Sequence, residues 1–142
     1  MTDVLFVGAF ERNLDDKGRV ALPGKFREHL GEHCYLAKGR DKCVHVVPAS
    51  VFESEAARLT ARAEAGEISR NEVRALAYSA TLVVLDKQGR INVDEQLRTY
   101  AELAPGTAIT VAGAFDRLEI WSTDRFSQVN TSGTGDLAGD DE

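Results

Sequence analysis

The sequence predicts a β-rich α+β fold, in which two tandem repeats jointly build one barrel-like core about an approximate two-fold axis. Three observations predict it. The stretch NLDDKGRVALP at residues 13–23 returns as VLDKQGRINVD at residues 84–94. The match continues beyond the motif: Val20, Leu22, Phe26 and Arg27 align with Ile91, Val93, Leu97 and Arg98. After a short insertion in the second copy, Val44, Val46 and Phe52 align with Leu118, Ile120 and Phe126. A register kept from Leu14 to Phe52 marks an internal duplication. Finally, each copy is mostly short apolar segments at strand period and is too small to bury a core alone, so the halves must complete one another.

Taken in order, Val4 to Phe10 is apolar and β-prone and reads as a strand. Asp15-Asp16-Lys17-Gly18 has turn chemistry, with Gly18 suited to positive φ. Val20 and Leu22 alternate as a strand, and Pro23 opens a short helix whose apolar face is Phe26 and Leu30. Gly31 ends that helix. A hairpin follows, CYLA to CVHVV, turned at KGRDK. The connector SVFESEAARLTARAEAGEISRNEVRALAYSA is rich in Ala, Glu and Arg and has no proline, which predicts two helices broken near Gly66. Ser69 and Glu72 form a capping-box pattern at the start of the second. In the second copy Asp94 caps the helix carrying Leu97 and Tyr100, and AITVAG to LEIW makes the hairpin, turned at AFDR. The chain divides into a first module at 4–52, a helical connector at 53–78, a second module at 79–126 and an acidic tail at 130–142. That tail holds acids and no base and lacks apolar periodicity, so disorder is expected.

The chain has 142 residues, of which 43% are apolar, enough for one core. No run is long enough to span a bilayer, and no basic leader precedes an apolar stretch, so a cytoplasmic location is expected. Cys34 and Cys43 suit a reducing compartment. The net charge of −6 argues against a nucleic-acid partner when taken alone. Yet Arg12, Lys17, Arg19, Lys25 and Arg27 crowd the first copy, so local charge decides the matter.

A single Asp-x-x-x-Arg turn is at home as a structural hairpin, its Asp binding backbone amides and its Arg pairing with the Asp. The functional reading starts from the arginine. Arg19 and Arg90 each follow a glycine and open a strand, and a carboxylate four residues earlier can hold the guanidinium in one direction. A held guanidinium reads a guanine edge or a phosphate through two bonds, which a mobile lysine does not. Lys17 and Lys87 would add phosphate contacts.

LDDKGRVALPGKFREHL and LDKQGRINVDEQLRTYAEL resemble the two halves of the MraZ family. ISRNEVRALAYSA resembles its helix before the second module, and AGAFDRLEIWSTDRF its closing hairpin and helix. The resemblance implies a pseudo-two-fold AbrB-like swapped-hairpin β-barrel. It also implies a DNA-binding regulator of its own operon, a division and cell-wall gene cluster, found in the cytoplasm at the nucleoid. Such a protein would bind short direct repeats of double-stranded DNA as a homo-oligomeric ring of about eight subunits or more. Asp15, Lys17, Gly18 and Arg19, with Asp86, Lys87, Gly89 and Arg90, would form the DNA site. A ring would also reconcile the acidic chain with DNA, because simultaneous contacts raise avidity by roughly 10²–10⁴. No enzyme activity, cofactor, metal, membrane or small-molecule substrate is implied. The same fold class also contains antitoxin-like modules that bind a protein, for which an exposed pair of arginine turns is not required.

Other residues read more plainly. His29 and His33 are spaced i, i+4, but Gly31 separates them, and Cys43 is a hairpin position beside an outward His45. Trp121, Phe115 and Phe126 read as a core hairpin and the helix that seals it. Arg58, Arg62, Arg70 and Arg74, interleaved with acids, suit either a solvated helix surface or a subunit interface.

Overall fold

The computed structural model describes residues 5–139. The first copy contains β1 (Ala9–Asn13), β2 (Arg19–Ala21), α1 (Gly24–Leu30), β3 (His33–Lys38) and β4 (Val44–Pro48). The connector is α2 (Ala49–Glu64) and α3 (Arg70–Ser79). The second copy contains β5 (Thr81–Val84), β6 (Arg90–Asn92), α4 (Glu95–Ala101), β7 (Ala108–Gly113) and β8 (Leu118–Ser122), followed by α5 (Thr123–Ala138). Among the described residues no helix is long and apolar enough to cross a membrane.

The strands form a six-stranded antiparallel sheet, ordered β1-β7-β8-β4-β3-β5, and a two-stranded ribbon, β2-β6. Exchanging each strand for its repeat equivalent turns the six-strand order into its own reverse. The first strand of each copy pairs with the hairpin of the other: β1 with β7, and β5 with β3. Equivalent residues face one another at two places, His45 opposite Glu119 between β4 and β8, and Val20 opposite Ile91 in the ribbon. A mixed α+β fold with antiparallel pairing is therefore present, with more residues in helices than in strands, but the expected closed barrel is not. Among the described residues β1 and β5 end the large sheet as edges, and the turn after β1 sends β2 into a separate ribbon.

The core lies between sheet, ribbon, α1 and α4. Val20, Leu22, Phe26 and Leu30 meet Ile91, Val93, Leu97 and Ala101 above Leu36, Val46, Val111 and Ile120. Full burial of a side chain the size of Phe26 or Leu97 contributes about 1.5–3 kcal/mol, and Leu30 and Ala101 bury the next turn of each short helix. Phe6 and Phe10 meet the Phe26 ring edge-on, at 5.9 and 5.5 Å.

Local signals set the element ends. Gly31, at φ +79°, closes α1. Asp94 accepts from the Leu97 amide at 3.0 Å and opens α4. Ser69 accepts from the Glu72 amide at 3.0 Å, but the Glu72 carboxylate accepts from Arg40 at 2.5 Å rather than returning to the cap. Of the strand expected at Val4 to Phe10, Val4 lies outside the described residues. Phe6 makes one bridge to Phe115, Gly8 at φ +94° interrupts the run, and the strand proper is Ala9–Asn13.

Two boundaries are corrected. The connector helix begins at Ala49, so the division expected at 52/53 falls inside α2, where Phe52 stacks on Tyr35 at 4.4 Å. The tail expected to be disordered from residue 130 is helical through Ala138; residues 140–142 lie outside the described part. Ser122 accepts from the Arg125 amide, Asp124 sits in the first turn, and Gly139 at φ +79° closes the helix, so well-formed ends carry a weakly apolar middle. From Ser127 on the helix is almost wholly exposed.

Candidate nucleic-acid interface

Each repeated turn is a closed hydrogen-bonded loop. Asp15 Oδ1 accepts from the amides of Lys17 at 2.9 Å and Arg19 at 2.8 Å, while Oδ2 accepts from Arg19 Nε at 2.7 Å. Asp86 Oδ1 accepts from the amides of Gln88 at 2.9 Å and Arg90 at 2.8 Å, and its Oδ2 from Arg90 Nε at 2.8 Å. The backbone closes the same way in both: the Asp15 amide donates to the Arg19 carbonyl at 2.9 Å, and the Asp86 amide to the Arg90 carbonyl at 3.0 Å. The residue types follow from this geometry. Aspartate is short enough to reach amides two and four residues ahead, and the glycine takes φ +81° at Gly18 and +75° at Gly89. Both carboxyls are held below the usual aspartate range, first by the arginine amide and also by its guanidinium.

Pairing of β2 with β6 brings the two turns together. Arg19 lies opposite Asn92 and Ala21 opposite Arg90, and Arg90 Nη1 stands 4.0 Å from Asp15 Oδ2 in the other half. The Arg19 and Arg90 side chains keep 31% and 29% of their surface, so they are neither free nor buried. Lys17 and Lys87 are exposed beside them, and Gly18 and Gly89 are buried. All eight residues expected from the motif thus gather around the ribbon. Each carboxylate accepts from the Nε of its own arginine, and among the described residues no hydrogen bond engages the Nη groups of Arg19.

Two further residues belong to this surface. The guanidiniums of Arg27 and Arg98 lie against Gly89 and Gly18 respectively. The sequence held the signal, because Arg27 and Arg98 align in the duplication, but nothing in it shows that each reaches the opposite half.

A second polar cluster lies where β4 meets β8. One ligand-type atom each of Cys43, His45 and Glu119 lies within 4.8 Å of the others. Arg117 Nη1 stands 3.2 Å from His45 Nδ1, and Trp121 Nε1 donates to Glu119 at 3.0 Å. Burial, more than any neighbour, pushes the Cys43 thiol up, and it pushes Cys34 to about 11. A protonated thiol and a guanidinium on the imidazole disfavour a cation, and the cluster acts as a hydrogen-bonded seam. His45 is turned into this seam rather than outward. Arg117 also donates to both Glu55 oxygens, at 3.0 and 2.7 Å, tying the second copy to α2. Trp121 and Phe126 join the core as expected, packing with Cys43, whereas Phe115, in the turn expected at AFDR and at φ +72°, is 65% exposed rather than part of that core.

Comparison with known proteins follows the repeat. The family model described as "MraZ protein, putative antitoxin-like" matches residues 5–71 and 76–133. The Transcriptional regulator MraZ of Nocardioides sp. is 38% identical over 96% of this chain and 94% of its own. Its namesake in Corynebacterium jeikeium is 39% identical over 97% and 96%, and that of Roseiflexus sp. 38% over 88% and 86%. The solution structure of PHS018 from Pyrococcus horikoshii, at 15% identity and a TM-score of 0.37 over 80% of this chain and 94% of that one, is too remote to define its fold. With both repeats matched and more than a third of the residues identical over nearly the whole length, the chain belongs to the MraZ family.

Proposed function

We propose that this protein is a sequence-specific DNA-binding transcription regulator. In this reading it assembles as a homo-oligomeric ring on short direct repeats upstream of its own operon, a division and cell-wall gene cluster, and is associated with the nucleoid. The observation that carries the reading is the juxtaposition of two Asp-held arginines, one from each half, on one partly exposed surface. A module that only bound a protein would have no need to keep both guanidiniums accessible and aimed. The relatives' shared description as transcriptional regulators supports the same conclusion.

Arg19 and Arg90 would read base edges, and Lys17 and Lys87 would neutralise phosphates. Each Asp–Arg pair is electrically neutral, so it contributes direction more than attraction. Multiple subunits on successive repeats would then supply the affinity that an acidic single chain lacks.

The test is Arg19→Ala, compared with the unaltered protein on upstream and scrambled DNA across a salt series. Loss of a bidentate base contact costs about 1–3 kcal/mol per site, and a surface ion pair contributes only about 0–1 kcal/mol to folding. Specific binding should collapse while the melting temperature and assembly size hardly move. A variant that melts early yet binds the upstream DNA normally per folded molecule refutes the role of Arg19 in reading DNA.

A further inference from the structure

Arg27 and Arg98 make no salt bridge among the described residues, in contrast to Arg19 and Arg90. Each follows the buried anchor of its helix, Phe26 on α1 and Leu97 on α4. Neither guanidinium packs on the turn glycine of its own half. That of Arg98 lies so close to Gly18 that an added Cβ would overlap its Nη1, and Arg98 Nη1 donates to the Val93 carbonyl at 2.5 Å. The Val93 amide donates to the Gly18 carbonyl at 2.9 Å. Across the axis the glycine contact is repeated but the bond is not: Arg27 lies against Gly89 and donates across the halves to the Gln88 carbonyl at 3.2 Å, whereas the Arg98 bond stays within its own half; the Leu22 amide donates to the Gly89 carbonyl at 3.1 Å.

We propose that Arg27 and Arg98 are exchanged positioning residues: each fixes the DNA-reading turn of the opposite half, so that Arg98 aims Arg19 and Arg27 aims Arg90. This rests on the DNA-binding reading above. The glycine is then required twice over, once for its left-handed backbone and once because a guanidinium occupies the place of a side chain. A planar, multiply donating group suits that place, packing against the glycine while donating to a carbonyl. A lysine ammonium has no such plane. The exchange also couples the two reading arginines, since neither turn is complete without the other half. Sites that read a rigid ligand lose selectivity when their geometry loosens by a fraction of an ångström to an ångström.

The experiment uses the full-length chain with Arg98→Met, Arg27→Met and the charge-keeping Arg98→Lys. Hydrogen exchange, followed by mass spectrometry on peptides covering each turn, is measured without DNA. Arg98→Met should speed exchange at Lys17 to Arg19 several-fold, through loss of the guanidinium packed between Gly18 and the Val93 carbonyl rather than of a bond to the turn itself, and leave Lys87 to Arg90 unchanged. Arg27→Met should do the reverse, and Arg98→Lys should not rescue the first turn. On upstream DNA, Arg98→Met should add little to Arg19→Ala but weaken Arg90→Ala fully, because only the first pair shares a turn. Equal changes in both turns, a change confined to the variant's own half, or a uniform rise across the core would each overturn the proposal. If the unaltered protein fails to distinguish upstream from scrambled DNA, the DNA-binding reading falls, while the exchange pattern still decides whether the arginines act across the halves.

Discussion

Gly18→Ala provides a quantitative test of how the turns are packed. The substitution adds one methyl group at φ +81°. An L-residue in left-handed backbone costs about 1–2 kcal/mol. Gly66 has φ +79° and nothing within 4 Å of an added Cβ, so Gly66→Ala measures that backbone cost in open space. At Gly18 the same methyl group would overlap the Arg98 guanidinium. Arg98 must withdraw and give up its bond to the Val93 carbonyl, and a hydrogen bond to a charged group contributes about 1.5–3 kcal/mol. Gly18→Ala should therefore cost about 1.5–3 kcal/mol more than Gly66→Ala. At roughly 3–5 °C per kcal/mol for a domain of this size, the extra drop in melting temperature falls at about 5–15 °C. Thermal melts of both variants at one protein concentration provide the measurement, repeated with Arg98→Ala, where most of the excess should vanish and only the close approach of the new methyl group to the Val93 carbonyl remains. Equal costs at Gly18 and Gly66, or an excess left undiminished by removal of Arg98, would refute the packing argument.

A fragment of residues 1–66 should show no cooperative melt, because β1 and β2 lose β7 and β6, and β3 loses β5; circular dichroism and calorimetry on the fragment check this. The turns should also leave a mark on acid stability. Asp15 and Asp86 titrate lower in the folded protein than the ordinary value of 3.8. Their ionised forms therefore favour folding above about pH 4, and that contribution is lost as the pH falls through their folded pKa. Replacing both with Asn should flatten the stability profile below about pH 4 and change its shape little near neutrality, as denaturant titrations across that range would show.

What could be read from the chain was whatever depends on near neighbours or on repetition. The Asp-to-amide bonds of the two turns, the caps at Ser69 and Asp94, and the stop at Gly31 are set within a few residues, and the repeat doubles each turn signal. Strand partners are not local. Nothing between Ala9 and Asn13 says that the neighbour is Ala108–Gly113, and the open order of the large sheet depends on such choices. Arg27 and Arg98 align cleanly, yet their reach across the axis depends on where the ribbon sets Gly18 and Gly89. Phe115 lies in the turn that AFDR signals, but its aromatic character suggests burial, and nothing local shows that the turn displays it instead. Residues 130–138 were misread for a different reason: their composition favours disorder, but a capped start at Ser122 and a glycine end at Gly139 frame a continuous helix.

The strand exchange has a consequence for biosynthesis. β1 is made early, but its partner, β7, spans residues 108–113, so nearly the whole chain must be synthesised before the first strand can pair. Until then the β3–β4 hairpin emerges with one neighbour, β5, still to follow and the other, β8, later still. Contacts of such long sequence separation form slowly, and edges left open meanwhile are surfaces for aggregation. Productive folding of this protein is therefore tied to completion of the second repeat, and a ribosome stalled inside α2 or α3 holds a β3–β4 hairpin that lacks both of its sheet neighbours.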